Sequence, residues 1–278
     1  MSENKRNTKL VTGIISPVCC SLALMCSLVQ AQQTKYELVT DRPDQTESSS
    51  TVPPGYVQFE FGWTHTEDGD PDIERDAIPE TLVRAGLSKD LEFRLGFDGW
   101  QCEDIDSSTT SEHHLDGRGD ASVGIKWKIM SEDYCFPEVA LIPSLSLPIG
   151  ADDVTSDRFD PSYRLAFSHT ISNRFSLGYN LGQALTTEED ELGDHDTRHS
   201  FLYTLVLGAE LMDRLDSFVE LFGDMPTGSE GGPKHSFDLG LTYLLQDNLQ
   251  IDMLFGFGLS DSADDWFFGT GVVYRFPN

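Results

Sequence analysis

Charged residues occur at every second position in several stretches of this sequence of 278 residues. Glu92 and Arg94, for example, alternate with Phe93 and Leu95. Because successive side chains of a β-strand point to opposite faces, such charges lie together on one face. If such faces line a narrow pore, their charges can select solutes by charge. Alternatively, the charges can pair with one another and fill the pore. The candidates for this face are Glu60, Arg84, Glu92, Arg94, Lys126, Lys128, Arg164, Glu210, Glu220, Asp238, Asp252 and Arg275, with Glu80 and Glu138 on the same parity.

The residues that could perform hydrolysis are not spaced for it. A hydrolase built into a strand needs its His and Ser on the same face, two residues apart. Here they are adjacent and point to opposite faces, at Ser168–His169, His199–Ser200 and His235–Ser236. Asp68, Asp70 and Asp72 echo a calcium loop only weakly, because Pro71 interrupts them and the final bidentate Glu is missing. We therefore expect no enzyme, no cofactor and no metal site.

The elements that carry these residues are strands, because twelve segments alternate between apolar and polar residues. Phe237, Leu239 and Leu241, for instance, alternate with Asp238 and Gly240. Such segments, separated by turn residues, are typical of a transmembrane β-barrel. The sequence thus predicts an all-β fold, a closed antiparallel transmembrane barrel of about 12 strands. The predicted strands are 56–65, 78–88, 91–100, 120–130, 137–148, 161–171, 174–185, 199–211, 216–223, 235–246, 249–259 and 266–276.

The polar side of these segments is rich in glycine, which separates a barrel from a soluble β-sandwich. Both folds alternate, but glycine weakens strands, and a solvent-exposed face has little use for it. The crowded concave interior of a barrel does favour glycine. The glycines of this parity are Gly62, Gly86, Gly96, Gly124, Gly178, Gly182, Gly208, Gly240, Gly256 and Gly258. The apolar side is therefore predicted to face lipid.

Aromatic residues concentrate near the predicted strand ends, like the interfacial bands of membrane barrels. Trp100 is an exception, because it falls on the inward parity of the predicted strand 91–100. The bands comprise Tyr56, Trp127, Tyr243, Tyr274 and Phe276 at one end, and Trp63, Trp100, Tyr163 and Trp266 at the other.

The connections between the predicted strands alternate in length, with short turns on one side and long acidic loops on the other. Bacterial barrels place short turns in the periplasm and long loops outside, and an even strand count puts both termini in the periplasm. The predicted short turns are 88–90, 131–136, 172–173, 212–215 and 247–248, and the predicted loops are 66–77, 101–119, 149–160, 186–198 and 224–234.

The N-terminus divides into two predicted segments ahead of a barrel domain over 56–278. Residues 1–31 resemble a secretory signal peptide, with Lys5 and Arg6 ahead of an apolar stretch; an uncleaved anchor is the alternative. Residues 32–55 are polar and lie on the periplasmic side. They can fold into the lumen as a plug or gate, with Asp41, Arg42 and Asp44 as its candidate residues, or remain a disordered tail.

Cys102 and Cys135 are the cysteines outside the predicted signal peptide. The predicted topology places Cys102 in an extracellular loop and Cys135 in a periplasmic turn, about 25 Å apart across the apolar band. A disulfide requires Cα atoms within about 7 Å of each other. Two free thiols are therefore expected.

Four blocks of the sequence resemble a bacterial family of outer-membrane barrels labelled for the meta pathway of phenol degradation. They are Thr40–Gly62, Gly119–Ile129, Pro143–Gly150 and Leu249–Phe276. The resemblance implies an outer-membrane barrel with a role in the uptake of small aromatic or hydrophobic compounds. It also favours the plug or gate over a disordered tail for residues 32–55.

The formal net charge of −28 argues against nucleic acid as a partner, because nucleic-acid binding needs a basic surface. The expected partners are outer-membrane lipid and lipopolysaccharide, the barrel-assembly machinery and a small hydrophobic or aromatic solute. Two hypotheses remain open. The chain is either a passive channel of the bacterial outer membrane, or a structural or surface-interaction barrel whose lumen is plugged.

Overall fold

The protein is represented by a computed structural model that describes residues 36–69, 72–106, 113–152, 154–189, 195–228 and 231–276. The predicted signal peptide, 1–31, lies outside these residues, as does part of the acidic loop at 190–194. Within the described ranges, no helix has the length and hydropathy needed to cross a membrane.

In the described residues, fourteen β-strands make up one antiparallel sheet. They are β1 (Val57–Gly69), β2 (Asp72–Ser88), β3 (Leu91–Phe97), β4 (Trp100–Asp106), β5 (His113–Arg118), β6 (Ala121–Met130), β7 (Glu138–Leu147), β8 (Pro161–Thr170), β9 (Phe175–Glu189), β10 (His195–Met212), β11 (Leu215–Pro226), β12 (Lys234–Gln246), β13 (Leu249–Gly258) and β14 (Trp266–Phe276).

The sheet closes because β1 pairs with both β2 and β14. Val57 lies opposite Ala85 on one side and opposite Phe276 on the other. The ring contains twelve strands, and β4 and β5 extend from it as a hairpin. A closed ring leaves no strand edge unpaired, which a hydrocarbon environment requires. The predicted all-β closed barrel is therefore confirmed.

The prediction of loops at 66–77 and 101–119 is wrong. β1 and β2 continue as a paired ladder to Gly69 and Asp72, and the first half of β2 pairs with β4. The register shifts where Gly62 faces Glu80 but Thr64 faces Ala77, which marks a β-bulge. This hairpin extension carries charges on both faces and lacks the alternation that reveals a membrane strand, so periodicity alone could not detect it.

The assignment of Trp100 to the inward parity is also wrong. β3 ends at Phe97, and Gly99 adopts a φ of +84°, which breaks the strand before Trp100. Trp100 begins β4 opposite Ile78, and the two side chains are 49% and 51% exposed. Trp100 thus lies on the outer surface with the other aromatic residues of the loop end.

The apolar parity faces outward, as predicted. On β12 and β13, Leu239 and Phe255 are each 46% exposed, whereas Asp238 and Asp252 on the opposite parity are 0% and 4% exposed. No other element of the described chain covers this apolar surface. A soluble protein would bury it, so the surface fits an outer-membrane barrel in contact with lipid.

Both cysteines are free, as predicted. Cys102 lies in β4 at the loop end, and exposed Cys135 lies in the turn between β6 and β7 at the opposite end.

Single-cysteine variants test this orientation in intact cells. In Cys135→Ser, the remaining Cys102 should react with a membrane-impermeant maleimide. In Cys102→Ser, Cys135 should react only after the outer membrane is permeabilised, because its turn faces the periplasm. The reverse labelling pattern would contradict the orientation.

Candidate functional site

Residues 36–55, called here the N-terminal segment, cross the interior of the barrel. One end is held at β14, where the Arg275 guanidinium donates to the Glu37 carbonyl at 2.7 Å. The other end is held near β2, where the Gly55 amide donates to the Gly86 carbonyl at 2.9 Å. Between these points the segment contacts inward-facing side chains from strands on opposite sides of the ring.

Asp41 of the segment occupies a cationic pocket built by β2, β3 and β6. Its carboxylate lies 2.7 Å from the Lys126 ammonium and 3.1 Å from the Arg84 guanidinium, and it also accepts a hydrogen bond from Arg94. Burial opposes ionisation of Asp41, but the charges of Arg84, Lys126 and Arg94 outweigh it and hold the Asp41 pKa well below its usual range. Asp41 therefore stays ionised.

Further carboxylates balance the remaining cationic charge of this pocket. Arg84 donates two hydrogen bonds to Glu92, at 2.8 and 3.0 Å, and one to Glu60 at 3.0 Å. Arg94 donates to Glu47 of the segment at 2.6 Å. Buried charges are tolerated when they are paired and hydrogen-bonded. The pocket thus behaves as an ion-paired cluster rather than as a row of independent charges.

Arg42 lies over the junction of β1 and β14. Its guanidinium donates to the Thr270 carbonyl at 3.2 Å and lies 3.6 Å from Glu80 and 3.7 Å from Asp252. A Cβ atom at Gly62 would lie only 2.0 Å from an Arg42 nitrogen. Glycine at this position of β1 therefore leaves room for the Arg42 guanidinium, which a larger residue would displace.

The next residues of the segment meet carboxylates instead of cations. The Gln45 amide donates to Glu220 at 2.7 Å, and the Thr46 hydroxyl also donates to Glu220. Asp238 lies opposite Glu220 in the β11–β12 register and is completely buried. Neither carboxylate oxygen of Asp238 has a hydrogen-bond partner among the described residues.

The other candidates lie around this centre without joining it. Lys128 pairs with Glu138 at 3.4 Å, and half-buried Arg164 donates to the Gln45 carbonyl at 3.2 Å. Glu210 is exposed at the short-turn end of β10. The structure thus leaves Lys128, Arg164 and Glu210 apart and gathers around Asp41 the candidates Glu60, Arg84, Glu92, Arg94 and Lys126.

Several uncharged residues of the site were missed from the sequence. The Asn180 side chain accepts from the Glu47 amide at 2.8 Å and donates to the Glu47 carbonyl at 3.0 Å. The Gln58 side chain accepts from Arg275 at 2.9 Å and donates to Glu60 at 2.8 Å. Both residues lie on the inward parity of their strands, and their side chains can donate and accept hydrogen bonds. This was the signal in the sequence that could have identified them.

Arg42, Pro43 and Asp44 separate two cavities and are called here the partition. A cavity of about 340 Å³ on the loop side also contacts Glu80 and Phe97 of the barrel wall. A cavity of about 350 Å³ on the short-turn side reaches the turn between β8 and β9. The lumen is therefore divided at the partition.

An apolar cluster on the lumen wall reaches both cavities. It consists of Phe218, Leu254 and Phe267, with Val206 and Phe222 packed against them. Leu254 and Phe267 line the loop-side cavity, and Phe218 and Val206 line the short-turn-side cavity. An otherwise charged interior thus carries an apolar surface that contacts the space on both sides of the partition.

Inward-facing glycines accommodate the two phenylalanine rings of this cluster. A Cβ atom at Gly256 would lie 2.1 Å from the Phe267 ring, and one at Gly240 would lie 2.4 Å from the Phe218 ring. These contacts explain why glycine occurs on the inward parity of β12 and β13.

Among the residues that the structure describes, no group of three or more His, Cys, Asp or Glu residues could hold a metal ion.

A family model described as "Putative MetA-pathway of phenol degradation" matches residues 40–276. An outer-membrane channel from Pseudomonas putida F1 has a TM-score of 0.66 at 11% identity, covering 86% of this chain and 100% of that one. No curated protein is significantly similar in sequence.

Two further solved structures share the barrel. The NanC porin has a TM-score of 0.52 at 7% identity and covers 79% of this chain and 100% of that one. The transport unit of the autotransporter AIDA-I from Escherichia coli has a TM-score of 0.50 at 10% identity and covers 93% of this chain and 98% of that one. At such identities the likeness shows the fold.

Substitution of Asp41 tests how strongly the cationic pocket holds the segment. Asp41→Asn removes the carboxylate shared by three buried cations, and breaking a buried ion pair from one side typically costs about 3–5 kcal/mol. Hydrogen exchange of the amides at 41–52, measured by mass spectrometry in detergent micelles, should therefore be faster, because the weakened anchor lets the segment detach more often. Asp247→Asn is the control, because it breaks an exposed pair with Arg214 worth about 0–1 kcal/mol. Equal protection in both variants would show that Asp41 does not anchor the segment.

Proposed function

Because this chain belongs to the MetA-pathway family of phenol degradation, we propose that it is a passive outer-membrane channel for small aromatic or hydrophobic solutes. The N-terminal segment is its gate. The observation that carries the proposal is the apolar cluster of Phe218, Leu254 and Phe267, which contacts the cavities on both sides of the partition. An apolar solute can remain in contact with this surface while it passes between charged walls.

The size of the two cavities supports a solute of one or two rings. An apolar cavity of about 150 Å³ is sufficient to bind benzene, and the cavities here measure about 340 and 350 Å³. Phe97 and Leu82 add apolar surface on the loop side. A single-ring compound therefore has room to enter from either end.

The contacts of the segment support a gate more than a permanent plug. Asp41, Glu47 and Thr46 are held by ion pairs and hydrogen bonds, which water can replace when the segment moves. The apolar cluster, by contrast, is formed by barrel residues and does not depend on the segment. Release of the segment would thus open the lumen without dismantling its wall.

The proposal includes no enzymatic activity, because the adjacent Ser and His residues lie on opposite strand faces. Its partners are membrane lipid along the apolar outer face, lipopolysaccharide around the loop end, and the assembly machinery that inserts such barrels. The alternative is a structural barrel closed permanently by the ion-paired cluster around Asp41. Measurements of conductance and of solute flux separate the two.

Arg42→Ala tests the gate in planar lipid bilayers. The substitution removes contacts with Glu80, Asp252 and the Thr270 carbonyl. A hydrogen bond involving a charged group contributes about 1.5–3 kcal/mol, so the open fraction should rise by about tenfold or more, and the time-averaged conductance of single channels should rise with it. Arg214→Ala, at the exposed turn between β10 and β11, is the control. Absence of conductance in every variant would favour the closed structural barrel.

Phe267→Ser tests whether apolar contact, rather than pore width, governs passage. The smaller polar side chain widens the loop-side cavity and removes an apolar surface. Ion conductance should therefore stay equal or rise, while uptake of a single-ring aromatic into proteoliposomes should fall roughly fivefold to tenfold, equivalent to about 1 kcal/mol or slightly more. Phe268→Ser, on the outward face of the same strand, should leave uptake unchanged. A parallel rise in aromatic uptake and conductance in Phe267→Ser would contradict the apolar route.

A further inference from the structure

The two halves of the N-terminal segment dock on surfaces of opposite charge. Asp41 meets the cations of β2, β3 and β6. The backbone of Gln45 and the hydroxyl of Thr46 instead donate to Glu220 of β11, and the charges of Glu220 and of Asp238 on β12 act on Asp44. The second half therefore places an acidic residue, Asp44, beside an acidic wall.

Asp238 lies in surroundings that do not support an ionised carboxylate. It is 0% exposed, and both of its oxygens lack a hydrogen-bond partner among the described residues. Its neighbours in register are Glu220 on β11 and Gly256 on β13, and Phe218 and Phe222 flank Glu220 along β11. A buried carboxylate without a partner is strongly disfavoured in its charged form.

The charged groups around Asp44 are mostly acidic. Glu220, Asp238 and Asp41 all act on its carboxyl, and the Arg164 guanidinium of β8 acts on Glu220 from the other side. Burial is the largest cause that raises the pKa of the Asp44 carboxyl well above its usual range, and the negative charges of Glu220 and Asp238 raise it further. The remaining charged residues that line the two adjacent cavities are Arg42, Glu47, Glu60, Glu80 and Asp98 on the loop side, and Glu37, Arg174, Glu210 and Asp216 on the short-turn side.

We propose that Asp44, Glu220 and Asp238 form a proton-binding latch that holds the second half of the segment against β11 and β12. The inference rests on the proposed gate and adds how it is regulated. In the docked state Asp44 and Asp238 hold protons beside Glu220, which accepts hydrogen bonds from the segment, and they lose these protons when the segment leaves and water enters. Docking is therefore strongest at low pH and weakens as pH rises, because ionised carboxylates repel one another.

Spin labelling of the segment measures the latch directly. The label is attached at Gln45→Cys, an exposed position, in a background of Cys102→Ser and Cys135→Ser, and its mobility is recorded by electron paramagnetic resonance in detergent micelles. As pH rises from about 4, the usual pKa of a carboxyl group in water, toward the raised pKa of the docked state, the mobile fraction should increase. Within this window the ratio of released to docked segment should change about tenfold per pH unit for each proton lost.

Two amide variants and one control complete the experiment. Asp238→Asn and Asp44→Asn each remove one titrating carboxyl of the latch, so in each variant the mobile fraction should rise less with pH than in the unsubstituted protein. Asp44→Asn lies outside the strands and leaves the barrel wall intact. Asp213→Asn, in the exposed turn between β10 and β11, should keep the pH response of the unsubstituted protein.

The latch and the channel can fail separately, because label mobility does not depend on conduction. A pH-dependent mobility without bilayer conductance would support the latch and contradict the channel. A conducting barrel whose label mobility is the same at every pH would overturn the latch. An unaltered pH response in both Asp238→Asn and Asp44→Asn would overturn it as well.

Discussion

One carboxylate shared by three buried cations organises the interior of this barrel. Arg84, Arg94 and Lys126 come from three neighbouring strands and all point inward, and Asp41 brings them together from a segment outside the sheet. Without it, these cations would depend on Glu60, Glu92 and water. Together with the contacts of Arg42 and Glu220, this contact holds the N-terminal segment across the lumen, where it separates the two cavities.

The interior separates two kinds of interaction that are usually mixed in a protein core. Ion pairs and hydrogen bonds hold the segment, whereas apolar packing between Phe218, Leu254 and Phe267 belongs to the wall. Polar contacts can be exchanged for water at a small net free-energy difference, but exposure of apolar surface is costly. The segment can therefore move while the wall retains its structure, which is the combination a gated channel needs.

The alternation of residues was sufficient to predict the twelve strands of the ring and the inward parity of residues such as Asp238 and Glu220. It failed at β4 and β5, where charges occupy both faces, and at Trp100, where a glycine ends the strand. The partners inside the lumen were harder to predict. Which residue meets Asp41 depends on ring order and strand stagger, neither of which is encoded in a local pattern. Asn180 and Gln58 were not predicted because they carry no charge, and their capacity to hydrogen-bond does not distinguish them from other polar residues of the strands.

The glycine pair Gly62 and Gly271 lies opposite in register where the first and last strands of the barrel meet. This seam joins the parts of the sheet that are most distant along the chain, so its pairing carries the largest loop-closure entropy. Arg42 rests on both glycines and bonds the Thr270 carbonyl, while Arg275 of the last strand bonds Gln58 of the first. The residues ahead of β1 thus add contacts that stabilise the seam at which the ring closes, where an open sheet would present two unpaired strand edges.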